Sequence, residues 1–401
     1  MTHIKTFLTF SLLLLVLASC SDNYLVVEGV KLPKDIKVNQ IQVLGTHNSY
    51  AKPVDTLILN YIDPIVKEFM EKHLANMSEV DRLRYKEYHP NEVPMSEALS
   101  YNHPDFLSQL KAGLRSFELD VYYDPTGNRF SRPAGYTFFK QIGNINLLPH
   151  DTTALDKPGF KVLHIADIDF RTHYPTLKIA LKALKKWSDK NPKHTPIFIM
   201  IEAKNKRFPL FPNPTEVLPF TEKTYDELDR EIAEVLSKEK LITPDNVRGD
   251  YNTLEDAILA DNWPSLESSL GKFVFMLLPG SAGLGSENAY IKNHPSLKDR
   301  IMFVKSEIGK PHAAFLLLDN AIIRKKDIQK AVKKGYLVRT RSDIETYEAK
   351  INDKSRAQAA FESGAQVIST DFFSPGNVYN TDYIVKMPNK KPLRHNPIYQ
   401  N

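Results

Sequence analysis

The chain has almost no cysteine. Cys20 is the only one among 401 residues, so no intrachain disulfide can brace the fold, and the core must hold itself together by burial. Too few thiol and imidazole groups stand near one another to suggest a zinc site. Long apolar runs are equally scarce. Residues 7–17 form the only marked one, and it falls short of the roughly 20 residues a membrane helix needs. No internal repeat, glycine–serine linker or long block of one charge divides the chain. The net charge of +5 is too mild to argue for a nucleic-acid partner, and it is compatible with approach to an anionic lipid surface. With 42% apolar and 25% charged residues, the composition is that of a globular protein without long disorder.

The first twenty residues predict where the chain works. Lys5 precedes the apolar run, and small residues follow it, ending in Leu17-Ala18-Ser19-Cys20. This is the layout of a cleaved secretory signal, and its end resembles the lipobox of bacterial lipoproteins. The expectation is a signal over residues 1–19 and a lipidated spacer over residues 20–37 that begins at Cys20. A catalytic body over residues 38–385 and a polar tail over residues 386–401 follow. The protein is then tethered in a bacterial cell envelope, either periplasmic or surface-exposed.

The body alternates short apolar, β-branched segments with helical patterns. Strands are predicted at residues 41–44, 116–121, 161–165, 197–201, 272–278, 314–318, 336–339 and 366–369, with residues 301–304 competing for the sixth place. Helices are predicted at residues 175–187, 221–236, 325–334 and 355–363. Gly335 and Gly364 stand where helix C-caps belong. Nearly continuous apolar strands separated by helices suit a parallel sheet buried on both faces. Eight of them suit a closed α/β barrel of the (β/α)8, or TIM, type. Residues 55–102 are a long insertion expected to form extra helices, and the proline-rich residues 205–220 an irregular loop near the mouth.

Ionisable residues gather where these strands end. His47 and Asn48 follow the first, and Glu118 with Asp120 end the second. His164 and Asp167 follow the third, and Glu202 with Lys204 the fourth. Arg339 with Arg341 end the seventh, and Asp371 the eighth. Residues two apart on a strand share a face, so these pairs point together. In barrels of this kind the C-terminal ends of the strands carry the active site. Carboxylates that converge there repel one another unless a cation joins them. Glu118, Asp120 and Glu202 with an amide oxygen from Asn48 form the hard-oxygen set that Ca²⁺ or Mg²⁺ prefers.

Several of these segments together resemble a known family. Leu44-Gly45-Thr46-His47-Asn48-Ser49-Tyr50 is similar to the opening motif of phosphoinositide-specific phospholipases C, in the calcium-dependent bacterial branch known from Streptomyces. Residues 113–120, 161–164, 191–204, 335–343 and 363–371 resemble its further motifs. The resemblance implies His47 as general base and His164 as general acid in cleavage of a phosphodiester by a neighbouring hydroxyl, or activation of that hydroxyl shared with a metal-bound carboxylate. It also implies Ca²⁺ on Glu202 and the acidic pair, and a phospholipid substrate. Lys204, Arg339, Arg341 and Asp371 are expected around the phosphate or headgroup. A glycerophosphodiester phosphodiesterase is the nearest alternative, although Asn48 stands where that family has arginine. A lipoprotein that only binds headgroups is the alternative from another class.

Overall fold

The computed structural model of the protein describes residues 23–144, 146–280 and 287–400. The expected signal segment and Cys20 lie outside the described residues. Among the described residues no helix is long and apolar enough to cross a membrane.

Eight parallel strands make the framework: β1 Ile41–Thr46, β2 Ser116–Asp124, β3 Ile197–Ala203, β4 Phe273–Pro279, β5 Phe303–Val304, β6 Phe315–Asn320, β7 Leu337–Arg341 and β8 Val367–Thr370. They are hydrogen-bonded in chain order. β8 returns to β1, and a bridge between Lys305 and Phe315 joins β5 to β6. The sheet is an α/β barrel of uneven strength. β2, β3 and β4 pair over most of their length, whereas β1 meets β2 at a single register position, Gly45 against Ser116. That glycine has a cause: a Cβ there would lie 2.2 Å from the Ser116 carbonyl oxygen, so only glycine lets the strands close.

Two expectations about strands need correction. The third predicted strand is not in the ring. Gly159–Val162 runs antiparallel to β2 and pairs with its far end, because β2 outruns its barrel partners and leaves an edge there. The contest for the sixth place has no loser, since residues 303–304 and 315–320 are both barrel strands.

The helices lie between the strands much as their periodicity predicts. Leu177–Lys190 and Glu222–Leu236 each start at a threonine whose side chain accepts from a first-turn N–H. Ser355–Ser363 ends at Gly364 in the left-handed conformation. The long insertion forms α1 Thr56–Ala75, α2 Glu79–Tyr88 and α3 Met95–Ala98. Arg324, in the helix after β6, pairs with Glu87 at 2.6 Å and holds α2 on the rim. The proline-rich residues 205–220 contain no helix or strand.

Both termini of the body are more ordered than expected. Tyr24–Val27 and Val30–Pro33 form a hairpin with Val27 and Leu32 buried, where a spacer was predicted. Leu393–His395 pairs antiparallel with β1, and Leu393 and Asn396 are fully buried, so the predicted polar tail is part of the body.

Candidate active site

His47 is the first residue beyond β1, and its N–H donates to the Thr370 carbonyl on β8. The next two residues tie this corner down. Asn48 adopts a positive φ of 43°. Ser49 donates its N–H to the Glu118 carbonyl, and its Oγ accepts the Glu118 N–H at 2.8 Å. The motif therefore stitches β1 to β2 at the level where Glu118 points inward.

The His47 Nδ1 lies 3.1 Å from Asp371 Oδ1, and its Nε2 lies 3.9 Å from Glu118 Oε1. Arg341 Nη2 stands 3.0 Å from the other Asp371 oxygen and 3.4 Å from the imidazole. Burial, with the charges of Arg341 and Arg339, pushes the His47 imidazole down to about 3. An imidazole biased in this way toward its neutral form can accept a proton. Burial alone would raise Asp371. The fields and hydrogen bonds of His47, His103 and Arg341 overcome that and hold it well below the carboxylate range.

His164 belongs to the turn that follows the antiparallel arm. Its Nδ1 lies 2.8 Å from Asp169 Oδ2, and its backbone is fixed by a hydrogen bond from the Tyr122 hydroxyl. The two imidazole rings stand edge to face with centroids 6.4 Å apart. Each has its Nδ1 fixed by a carboxylate, which settles tautomer and orientation and leaves the Nε2 of each ring for chemistry.

Asp120 and Glu202 are register partners on β2 and β3, and Glu118 lies one pleat below Asp120 on the same face. One oxygen from each of the three carboxylates falls within 4.8 Å of the others. Lys204 Nζ lies 3.0 Å from Asp120 and 3.1 Å from Glu202, so its ammonium is engaged with the carboxylates. Arg339 pairs with Glu118 at 2.6 Å and also with Asp319. Even so, burial, reinforced by Glu202, pushes Glu118 up to about 7. Burial also holds Asp120 well above its ordinary value against the pull of Lys204. Asp120 Oδ1 is buried and accepts no hydrogen bond among the described residues. An orphaned buried oxygen between two further carboxylates fits a hard divalent cation. The Asn48 amide is also buried. Its Nδ2 donates to Tyr101 at 2.5 Å and its Oδ1 accepts from Tyr50 at 3.2 Å, which leaves a lone pair on that oxygen.

A cleft of about 190 Å³ opens over this constellation. His47, Glu118, Glu202, Arg339 and Arg341 line it, and Tyr88 and His89 from the end of α2 roof it. The long insertion thus shapes the mouth.

The family model for calcium-dependent phosphoinositide phospholipase C matches residues 36–397. The chain belongs to that family. It is a phosphodiesterase of the phospholipase C type, and calcium is the cation on which the family depends. Among solved structures it is similar to a calcium-dependent phosphoinositol-specific phospholipase C from Pseudomonas sp. The identity is 15%, covering 90% of this chain and 96% of that one, with a TM-score of 0.50. A calcium-dependent phosphatidylinositol-specific phospholipase C from Streptomyces antibioticus gives 16% identity, 86% and 98% coverage and a TM-score of 0.50. At such identities the likeness shows the shared barrel. No curated protein matches the chain.

Sequence reasoning missed several residues of this phosphodiesterase. Asp169, not Asp167, carries His164. Asp167 accepts from the Ala134 and Thr215 N–H groups, both at 2.7 Å, and so ties two loops together. His103 Nε2 donates to the His47 carbonyl at 2.8 Å. Asp343 accepts the Asp371 N–H at 2.8 Å. Asp319, which holds Arg339, ends β6. Only Asp319 carried a signal that could have been used, an acidic residue ending a predicted strand.

Proposed function

We propose that this phosphodiesterase cleaves phosphoinositide-type phospholipids through attack of a headgroup hydroxyl on the adjoining phosphorus. The observation that carries the proposal is the pair of His–Asp dyads, 6.4 Å apart between rings, with the first 3.9 Å from the acidic cluster. Neutral His47 accepts the proton of the attacking hydroxyl at Nε2, and His164 delivers a proton to the departing alkoxide. Asp371 and Asp169 hold the rings; Asp371 stabilises the imidazolium that forms on His47, and Asp169 the imidazolium from which His164 gives up its proton. Glu118, Asp120, Glu202 and the Asn48 amide oxygen would hold calcium, which when bound would supply positive charge at the phosphoryl oxygens and make the hydroxyl more acidic. Arg341 lines the cleft beside His47 and takes a phosphate oxygen. Arg339, engaged with two carboxylates, orients Glu118 and borders the headgroup. Lys204 offsets the acidic cluster.

In this reading residues 1–19 are removed on export and Cys20 carries lipid, so the enzyme is tethered in a cell envelope. Cys20→Ala should shift the protein from the membrane fraction to the soluble fraction with activity kept. Phosphorus NMR of products from a panel of phospholipids, with and without calcium, tests the chemistry. Calcium-dependent release of a phosphorylated headgroup from inositol lipids is expected. Cleavage confined to glycerophosphodiesters would overturn it.

A further inference from the structure

The polypeptide enters the body through the barrel floor, opposite the active site. Glu28, at the turn of the N-terminal hairpin, pairs with Arg115 and accepts the Thr195 N–H at 3.1 Å. Both partners lie just before the N-terminal ends of barrel strands β2 and β3. The following segment stays on this face. Lys34 pairs with Glu267 at 2.7 Å and Lys37 with Asp261 at 2.8 Å, and Asn39 donates to the Gly335 carbonyl ahead of β7. Tyr24 is paired with Pro33 and so is held at the floor. His47, Glu118, Asp120, Glu202 and Arg341 lie at the other end of the same strands.

This geometry limits what an N-terminal tether allows. Only Ser21, Asp22 and Asn23 separate Cys20 from Tyr24, a reach of about 14 Å when fully extended. The rise from Arg115 to Asp120 along β2 is itself about 16 Å. A tether running outside the body must also pass a helix layer roughly 10 Å thick. The body cannot invert to lay its mouth on the membrane that holds it.

Each end of the molecule also presents apolar side chains to solvent. Beside the tether, Val26 is more than half exposed, next to Lys31 stacked over the Tyr24 ring. At the mouth, Val80 and Leu83 on α2 and Ile323 after β6 are more than half exposed. They share a hollow with Arg84, Lys86 and Glu92 and with the Glu87–Arg324 pair; the lining cations outnumber its carboxylates by one, a balance that suits an anionic lipid surface. The acidic Glu79 and Asp81 of α2 lie in its first turn, away from Tyr88 at the cleft.

We infer that the protein works in trans: its floor rests on the membrane that anchors it, and its mouth docks on a separate anionic lipid surface that supplies the substrate. This rests on the membrane anchorage and lipid substrate proposed above.

The test uses the lipidated full chain in vesicles. Fluorophores are placed by Val26→Cys or Val80→Cys, and a headgroup quencher is confined to the anchoring bilayer. The Val26 probe should be quenched and the Val80 probe should not. With phosphatidylinositol as the substrate lipid, turnover per enzyme should fall in proportion as the vesicles are diluted. A Gly/Ser linker of about 40 residues, inserted between Asp22 and Asn23, should remove that dependence. Quenching of the Val80 probe, or dilution-independent turnover with the native tether, would overturn the inference while leaving the enzyme reading intact. A chain that fails to float with vesicles would remove the anchor, and the inference with it. Bright Val80 and dim Val26 probes on a protein that cleaves no phosphodiester would support the orientation and overturn docking on a substrate surface.

Discussion

His47 and His164 each have Nδ1 fixed by a carboxylate, at 3.1 and 2.8 Å, but the first pair joins residues 324 apart in the chain and the second residues five apart. The His47 dyad exists only when β8 closes on β1. It is buried, and Asp371 is shared with Arg341 and approached by His103. The His164 dyad is a local turn outside the strand ring. A long-range dyad gains a neutral, desolvated imidazole from its surroundings. A local one gains orientation without needing the barrel seam.

The largest expected effect is common to both sites. Chelation should abolish turnover and added calcium restore it, measured by release of phosphorylated headgroup. Full activity in excess chelator would reduce Glu118, Asp120 and Glu202 to a charge network around Lys204 and Arg339. Next, His47→Ala and His164→Ala should each lower kcat by roughly 10²–10⁴-fold on natural lipids, with circular dichroism unchanged. An aryl inositol phosphate, whose leaving group needs little protonation, should partly rescue His164→Ala and not His47→Ala. Rescue of the opposite variant would exchange the two roles.

The carboxylate partners sharpen the contrast. Asp371→Asn should cost about 10²-fold in kcat, the scale of a misplaced catalytic group, and more than Asp169→Asn, because Asp371 also positions Arg341. Equal losses would remove the distinction between a shared and a local partner.

A smaller effect concerns acid. The folded His47 imidazole takes a proton only near pH 3, against 6.5 ordinarily. As pH falls, the unfolded chain binds that proton first, so stability present above about 6.5 is lost progressively down to about 3. In calcium-free protein, His47→Gln should flatten the fall of the urea midpoint across that window. An unchanged slope would place the acid sensitivity elsewhere. The smallest effect belongs to the rim. Glu87→Gln breaks a partly exposed pair and should lower the unfolding free energy by under about 1 kcal/mol. Its trace should be a raised KM as α2 loosens over the cleft.

Much of this was legible beforehand because it repeats at short range. Apolar runs gave seven of the barrel strands, and helical periodicity gave four of the helices. The inward-facing pairs Glu118 with Asp120 and Arg339 with Arg341 followed from the period of a strand. Errors arose where a neighbour in space outweighed the local pattern. Residues 159–162 read as a barrel strand but pair with the overhanging end of β2. Residues 393–395 read as a polar tail, yet β1 offers them a free backbone edge.

The sequence by itself determined the barrel class and which carboxylates and histidines gather at the strand ends, since side-chain type and strand period depend on no distant partner. Tertiary structure alone decided which carboxylate serves which histidine. At His164 the partner is Asp169, while Asp167, left-handed at φ 73°, accepts from Ala134 and Thr215. It likewise decided that Lys204 faces the acidic cluster and that the N-terminal hairpin closes the floor. Those outcomes depend on which charges burial brings within hydrogen-bonding distance, and only the closed barrel sets that.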